Sequence, residues 1–194
     1  MRWRVRCLSS FEPDALRERY AAIPSEARLH SPERATPLRM AAELLLRELL
    51  AEHTGADFSC FRFLRTPRGK PYAENAPHFN LSHSGDWLLC AVGDAPVGVD
   101  IEVPRKISPA LVRRTCTPAE RAFLADRPGC FLQLWTAKEA YLKYLGTGIT
   151  GDLRNVNTVH DGKFSFPSLH CIQTQTENYT ATIVFAENDN PGAG

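Results

Sequence analysis

The sequence predicts an α+β protein, two α+β halves side by side with a seam near Pro96. Three observations carry that prediction. Stretches of period two and period 3.6 come in blocks: strand, helix, strands, and then strand, helices, strands. The chain has 194 residues and is 43% hydrophobic, which suits one large domain or two small joined ones with a real core. The stretch after the last helix, from Val156 to Ala186, reads as antiparallel strands, and "HDGK" there carries an Asp-Gly turn. No sequence repeat relates the halves, and no low-complexity segment divides them.

Taken in order, "WRVRCL" alternates and reads as a strand, and "PDALRERYAAI" as a short helix. The first long helix is "TPLRMAAELLLRELLAEHTG". Thr36 can cap it, Pro37 fits its first turn and Gly55 can end it. Leu38, Ala42, Leu45 and Leu49 form its buried stripe, while Arg39, Glu43 and Arg47 share another side at four-residue spacing. "FSCFRFL" and "WLLCAV" read as strands, "HFNLSHS" as a strand entering a tight loop, and "GVDIEV" as the strand after the seam. Ser108-Pro109 and Thr117-Pro118 each read as a helix start, the second completed by Glu120 into a capping box. A longer helix is expected from about Pro128 to Leu145, stopped by Gly146 and Gly148. "VNTVHDGKFSFPSLHCIQTQ" and "YTATIVFA" read as strands, and "ENDNPGAG" as a disordered tail.

Charge excludes some partners. Lys plus Arg is 23 against 22 Asp plus Glu, so no global field invites nucleic acid or an anionic membrane, and any anion site must be local. No apolar run approaches a membrane span, and the basic N-terminus lacks the apolar stretch of a signal peptide. Cys7, Cys60, Cys90, Cys116, Cys130 and Cys171 are widely spaced with no CxxC pair. That favours reduced thiols in a cytoplasmic protein over a zinc or redox motif.

The chemistry-bearing residues fall in a few blocks. In "GVDIE", Asp100 and Glu102 flank Ile101 on a strand, so both carboxylates face one side and repel each other. Alone, such a pair faces water or caps a turn. A hard divalent cation such as Mg²⁺ would remove the repulsion and leave coordination positions for phosphate oxygens. In "LWTAKEAYLKYLGTG", Lys138 lies along the core-facing stripe, where leucine would be ordinary. Glu139 and Lys143 share an adjoining face and, alone, would be a common surface pair. In "PRGKPYAENAPHFNLSHSGDW", Arg68, Gly69 and Lys70 form a basic turn. Ser82, His83, Ser84 and Gly85 gather hydroxyls, an imidazole and loop amides, a composition suited to phosphate. There is no G-x-S-x-G elbow, and strand neighbours point opposite ways, so a Ser-His hydrolase is disfavoured. Spacing alone therefore gives a Mg²⁺ site beside phosphate-binding groups and names no substrate.

"GKPY", "FNLSHSGDW", "GVDIE" and "WTAKEAYLKYLGTGI", in this order across residues 69 to 149, resemble the 4′-phosphopantetheinyl transferases of the Sfp-type (surfactin-synthetase-activating) branch. The resemblance implies a pseudo-dimer of two similar α+β halves, residues 1–95 and 96–186, with the active site in the cleft between them and 187–194 as tail. It implies transfer of the 4′-phosphopantetheine arm from coenzyme A to a serine of an apo acyl, peptidyl or aryl carrier protein, releasing adenosine 3′,5′-bisphosphate. Asp100, Glu102 and Glu139 would hold Mg²⁺, or Mn²⁺ in its place. Glu139, or a water it orients, would be the base, and Lys143 would stabilise the departing phosphate. Lys138 and His83 would touch phosphate oxygens, and Lys70 and Ser82 would line the nucleotide cleft. The stretch "IPSEARLHSPERATPLRM" is shorter and less basic than the branch's usual one. Arg28, Arg34 and Arg39 are its candidates for the 3′-phosphate, Arg39 first because it begins a well-defined helix. The chain is also short for the branch. A monomer in the cytoplasm is expected, with no nucleic-acid or membrane partner. A non-catalytic module of the same fold that binds CoA or carrier proteins is the alternative. A phosphohydrolase would need more Asp and His ligands than the sequence offers.

Overall fold

The structure is a computed structural model that describes residues 1–67, 69–146, 153–166 and 169–186. The expectations for Arg68, Gly148 and the 187–194 tail lie outside the described residues. The elements run β1 (Arg2–Cys7), α1 (Pro13–Ala21), α2 (Pro37–Thr54), β2 (Phe63–Arg65), β3 (Pro71–Ala73), β4 (His78–Ser84), β5 (Trp87–Gly93), β6 (Val97–Glu102), α3 (Pro109–Thr115), α4 (Pro118–Asp126), α5 (Phe131–Leu145), β7 (Val159–His160), β8 (Lys163–Phe164), β9 (His170–Gln175) and β10 (Thr180–Phe185). The protein is thus mixed α and β, with antiparallel sheets.

Local chemistry explains most boundaries. Helices α1 to α4 each begin at a proline behind a residue whose side chain accepts a backbone N–H: Glu12, Thr36, Ser108 and Thr117. Proline at the first helical position loses no bond, because that N–H has no partner in a helix anyway. Thr117 and Glu120 form the reciprocal capping box. Gly55 and Gly146 end α2 and α5 at φ of 73° and 68°, where a side chain would be strained. Asp161 and Gly162 both have positive φ, 51° and 70°, as a tight turn between β7 and β8 requires.

One strand expectation is corrected. Of "FSCFRFL", only the end is strand, β2, which pairs with β3. The backbone carbonyls of Phe58 and Phe61 are taken by the Arg47 guanidinium, and Asp57 accepts from the Ser59 N–H. Two backbone carbonyls and one backbone N–H are thus committed to side chains and cannot build a ladder.

The two three-stranded sheets are ordered β1-β5-β4 and β6-β10-β9. Both therefore place their first strand beside their last, with the middle strand on the far edge and a long helix, α2 or α5, between the first and middle strands in sequence. Helix α2 packs on one face of the first sheet, burying Leu45, Leu49 and Leu50 against Phe79, Leu88, Cys90 and Val92. Helix α5 packs on β6 and β10 of the second sheet. The remaining faces meet in a shared cluster of Leu89 and Ala91 with Val97, Val99, Ile101, Ala181, Ile183 and Phe185. A third cluster ties α3 and α4 to the start of α5 through Cys116, Leu124, Phe131 and Leu134.

Strands β4 and β6 lie together where the sheets meet, bridged by side chains. Asn80 Oδ1 accepts from the Val99 N–H (3.2 Å), and Ser82 Oγ donates to Asp100 Oδ1 (2.8 Å). Ser84 Oγ donates to Glu102 Oε2 (2.9 Å) and accepts from the Val103 N–H (3.2 Å). Every second residue of β4 reaches across, so strand periodicity alone delivers Ser82 and Ser84 to the acids of β6.

Candidate functional site

The acids sit where α5 crosses β6. The crossing is close because residue 98 is glycine: a Cβ there would fall on the Ala140 carbonyl oxygen and the Tyr144 nitrogen. Asp100 and Glu102 share Gly98's face of β6, so both look toward α5, which carries Glu139 and Lys143. Thr136 Oγ1 and Thr182 Oγ1 share a 2.7 Å hydrogen bond that pins α5 to β10.

Glu139 and Lys143 are not a surface pair. Glu139 is 4% exposed and Asp100 6%. The Lys143 ammonium donates to Asp100 Oδ1 (2.7 Å) and to Ser82 Oγ (2.9 Å). Among the described residues, Asp100 Oδ2 and Glu139 Oε1 are buried with no hydrogen-bond partner. Burial pushes the Asp100 carboxyl upward, opposed by the nearby Lys143 ammonium. Glu139 is raised to about 7, first by burial and then by the Asp100 charge, with Lys143 opposing and Glu102 adding. Glu102 is more committed. Its Oε1 accepts from Trp135 Nε1 (3.0 Å) and lies 3.6 Å from Arg105, and its Oε2 accepts from Ser84.

Ionised carboxylates accept hydrogen bonds and donate none, so two orphaned buried oxygens call for a cation or a donor. In that respect Asp100 and Glu139 fit a hard divalent ion. Among the described residues, however, no three His, Cys, Asp or Glu side chains are gathered into a ready-made ligand set. The three acids share a neighbourhood and one another's field, and Lys143 holds one oxygen of Asp100.

Beside the acids lies a cavity of about 590 Å³ lined by Leu29, His30, Ser31, Arg34, Arg39, Ala42, Arg65, Gly69, Leu81 and His83. Three guanidiniums make it locally cationic in a chain whose net charge is only +1, and two imidazoles add hydrogen-bonding groups. Burial and four neighbours, Arg65, Arg39, His83 and Arg34, hold the His30 imidazole down at about 4. His83 is lowered by burial, then by Lys143 and Arg39, so the cavity and the acids lie within one electrostatic neighbourhood. Lys70 completes the link: its ammonium, lowered by burial, donates to the Lys143 carbonyl oxygen (3.0 Å) at the end of α5.

The structure thus brings together Asp100, Glu102, Glu139, Lys143 and Ser82 at one place, and Arg39 and His83 at the adjoining one, with Lys70 between. It does not bring Lys138 to either. Lys138 is 1% exposed and donates to the carbonyls of Thr115 (2.7 Å) and Leu153 (3.0 Å) and to Glu120 Oε2 (2.6 Å). Its three N–H groups are all used, so the expected phosphate contact is replaced by a buried structural pair. Arg28 is also turned away, donating to the carbonyls of Ile23 and Ala21. Arg65 and His30 take part instead. Sequence reading missed both, because β2 is too short for periodicity to mark Arg65 and His30 lies in a segment without regular structure. Trp135 was missed as the partner of Glu102, although it stands four residues before Glu139 and so one turn away on the same side of α5.

This is an α+β protein with an acidic cluster on one helix–strand crossing and a cationic cavity beside it. Residues 96–187 match the family model of the 4′-phosphopantetheinyl transferase superfamily, and residues 33–94 match that of the 4′-phosphopantetheinyl transferase N-terminal region. The chain is 35% identical over 148 residues to the 4′-phosphopantetheinyl transferase psf-1 of Bacillus pumilus, covering 73% of this chain and 59% of that protein. It is 33% identical over 132 residues to the 4′-phosphopantetheinyl transferase Sfp of Bacillus subtilis (strain 168), covering 63% and 59%. With the 4′-phosphopantetheinyl transferase gsp of Aneurinibacillus migulanus it shares 33% over 112 residues, covering 55% and 47%. The chain belongs to the 4′-phosphopantetheinyl transferase superfamily, and its relatives are of the Sfp type. The matches span about half to three-fifths of those relatives' lengths.

Proposed function

We propose that the protein transfers the 4′-phosphopantetheine group of coenzyme A to a serine hydroxyl of an apo carrier protein. The observation that supports this best is the juxtaposition of the cationic cavity with two orphaned buried carboxylate oxygens, linked by Lys143 and Lys70. The adenosine 3′-phosphate would enter the cavity against Arg39, His83 and Arg65. The pyrophosphate would lie toward Lys143 and the acids. Asp100, Glu139 and Glu102 would hold Mg²⁺ or Mn²⁺. When bound, the cation would draw charge from the pyrophosphate and polarise the phosphorus that carries the pantetheine arm.

The serine oxygen would form a bond to that phosphorus as the bond to the adenosine-side phosphate breaks. Adenosine 3′,5′-bisphosphate leaves, and the hydroxyl proton passes to Glu139 or to a water it orients. Without a cation the Glu139 carboxyl is raised to about 7; a bound cation would hold it ionised, the form that accepts a proton directly or through a water. Lys143 would turn its ammonium from Asp100 to the departing phosphate. Ser82 and Lys70 would fix the two ends of that lysine, one through its ammonium and one through its backbone carbonyl. Most of the rate would come from positioning and charge stabilisation.

The same reading takes the shared strand order of the two sheets as a pseudo-dimer, with halves at 1–95 and 96–186 and the active cleft between them. A single chain would then suffice as a monomer, and the six free cysteines would fit a reducing, cytoplasmic compartment. No helix among the described residues is long and apolar enough to cross a membrane. The test is intact-protein mass spectrometry of apo acyl, peptidyl and aryl carrier proteins incubated with this protein, CoA and Mg²⁺. A gain of one phosphopantetheine, absent with EDTA and absent with Asp100→Asn, is the expected outcome. No gain on any carrier, from folded protein that still binds CoA, would overturn the transfer.

A further inference from the structure

The side of α2 that carries Arg39, Glu43 and Arg47 at four-residue spacing has a use that the proposed reaction leaves open. Arg39 lines the cationic cavity. Glu43 and Arg47 do not reach it: both are 0% exposed and bonded to each other, Nε and Nη2 of Arg47 each 3.1 Å from Glu43 Oε1. The rest of the guanidinium is committed too. Nη1 donates to the carbonyls of Phe58 (3.2 Å) and Phe61 (3.0 Å), and Nη2 to that of Ala27 (2.5 Å). All five N–H donors of Arg47 are therefore used, and none remains for a ligand. Glu43 Oε2 accepts from the Leu29 N–H (3.0 Å) and the Tyr20 hydroxyl (3.2 Å). The Arg47 guanidinium also lies over the Phe63 ring, 4.8 Å from its centroid.

The segments held this way carry the cavity wall. Residues 27 to 29, fixed by Arg47 and Glu43, lead directly into His30 and Ser31. Residues 58 to 63, fixed by Arg47, lead into Arg65. Ala27 ends a 3₁₀ turn and Phe63 opens the three-residue β2, while Leu29, Phe58 and Phe61 lie outside any helix or strand, so little local structure fixes these segments. A buried ion pair is a poor way to gain stability, because well-packed apolar side chains often do as well. What it supplies here is direction: five fixed donors and a carboxylate that set two irregular segments at a defined distance from one helix. We propose that the buried Glu43–Arg47 pair is a positioning device for anion binding. It sets Leu29, His30, Ser31 and Arg65 at the spacing a phosphorylated ligand needs, while Arg39 on the same helix touches the ligand. The inference rests on the reading that this cavity takes the nucleotide end of coenzyme A.

The test compares wild type, Arg39→Ala, Arg47→Lys and Glu43→Gln by CoA titration calorimetry, thermal melting and steady-state kinetics with varied CoA. Arg47→Lys keeps the charge but loses the fork that spans three carbonyls. Glu43→Gln keeps the shape but weakens the clamp. The expected result is cooperative melting for both, with CoA bound on the order of tenfold more weakly. Turnover at saturating CoA should stay within about twofold of wild type, a split that a merely structural role would not produce. Folded Arg47→Lys and Glu43→Gln proteins that bind CoA within about twofold of wild type would overturn the positioning role. Failure of both to fold would overturn it too, since the pair would then serve the core. If Arg39→Ala binds CoA as wild type does, the reading of the cavity fails instead.

Discussion

Lys143 carries the most information of any single side chain. Sequence spacing paired it with Glu139, four residues away on one helix face. The structure pairs it with Asp100 of β6 and Ser82 of β4, because α5 is sunk onto the strand and the nearest carboxylate lies across the crossing. The ammonium offsets part of the cost of burying Asp100. A phosphate arriving beside it would compete for the same charge. Lys143→Ala should therefore lower kcat by about 100-fold, the scale of one lost charge-stabilising donor, with a much smaller change in CoA affinity. Turnover with varied CoA and direct CoA titration check this; equal losses in both would place Lys143 in ground-state binding. The acids were legible as residues because alternation put Asp100 and Glu102 on one face. Arg65 and His30 were not, because they come from segments whose shape is dictated by Glu43 and Arg47, and no local pattern records that.

At the scale of elements, the site depends on how closely α5 approaches β6. Gly98 sets that distance. Gly98→Ala would drive a methyl group into the backbone of Ala140 and Tyr144, which cannot rotate away as a side chain could. A loss of about 3 kcal/mol or more is expected, and any folded fraction should lose turnover as α5 is displaced from Asp100. Chemical denaturation and the carrier assay together check this, and a variant with both properties intact would refute the close approach. Lys138 marks the other end of the same helix's task. It and Glu120 bind the loops before α4 and after α5: Glu120 accepts from the N–H groups of Thr117 and Thr158 and from the Thr158 hydroxyl. Lys138→Met should cost on the order of 3 kcal/mol, by leaving a buried carboxylate without its cation, and leave CoA affinity of the folded protein unchanged. Weakened CoA binding at full stability would restore Lys138 as a phosphate ligand. Helices were the most legible elements, because Pro and a capping residue announce their starts. That Lys138 sits on the core-facing stripe was legible as well; its partner, 18 residues earlier, was not, since only the packing of α4 on α5 brings it near.

For the whole molecule, the mixed α and β make-up with antiparallel strands was readable from the order of elements, and the seam expected near Pro96 would fall in the short connection between β5 and β6. What joins the sheets was not readable: polar side chains of β4 reach β6, and they end on the acids of the site. Stability and site chemistry are therefore coupled, and pH exposes the coupling. Glu139 is raised from the ordinary carboxylate value of 4.5 to about 7, so the folded protein keeps a proton that the unfolded chain releases. Its contribution to stability is fullest below pH 4.5 and is lost as pH rises toward 7, levelling off above that. His30 runs the other way. Its imidazole is held at about 4 against an ordinary 6.5, so the fold gains stability as pH rises through that window. The raw melting temperature mixes the two, and the informative quantity is the difference between wild type and Glu139→Gln. In EDTA, the variant should gain on wild type as pH climbs from 4.5 to 7 and hold its advantage above. Mg²⁺ should then raise the wild-type melting temperature more at pH 7 than at pH 5, because a cation binds the ionised acids of the folded state only. A difference that stays flat across this range would mean that Glu139 has an ordinary pKa and that the acidic crossing holds no strained charge for a cation to relieve.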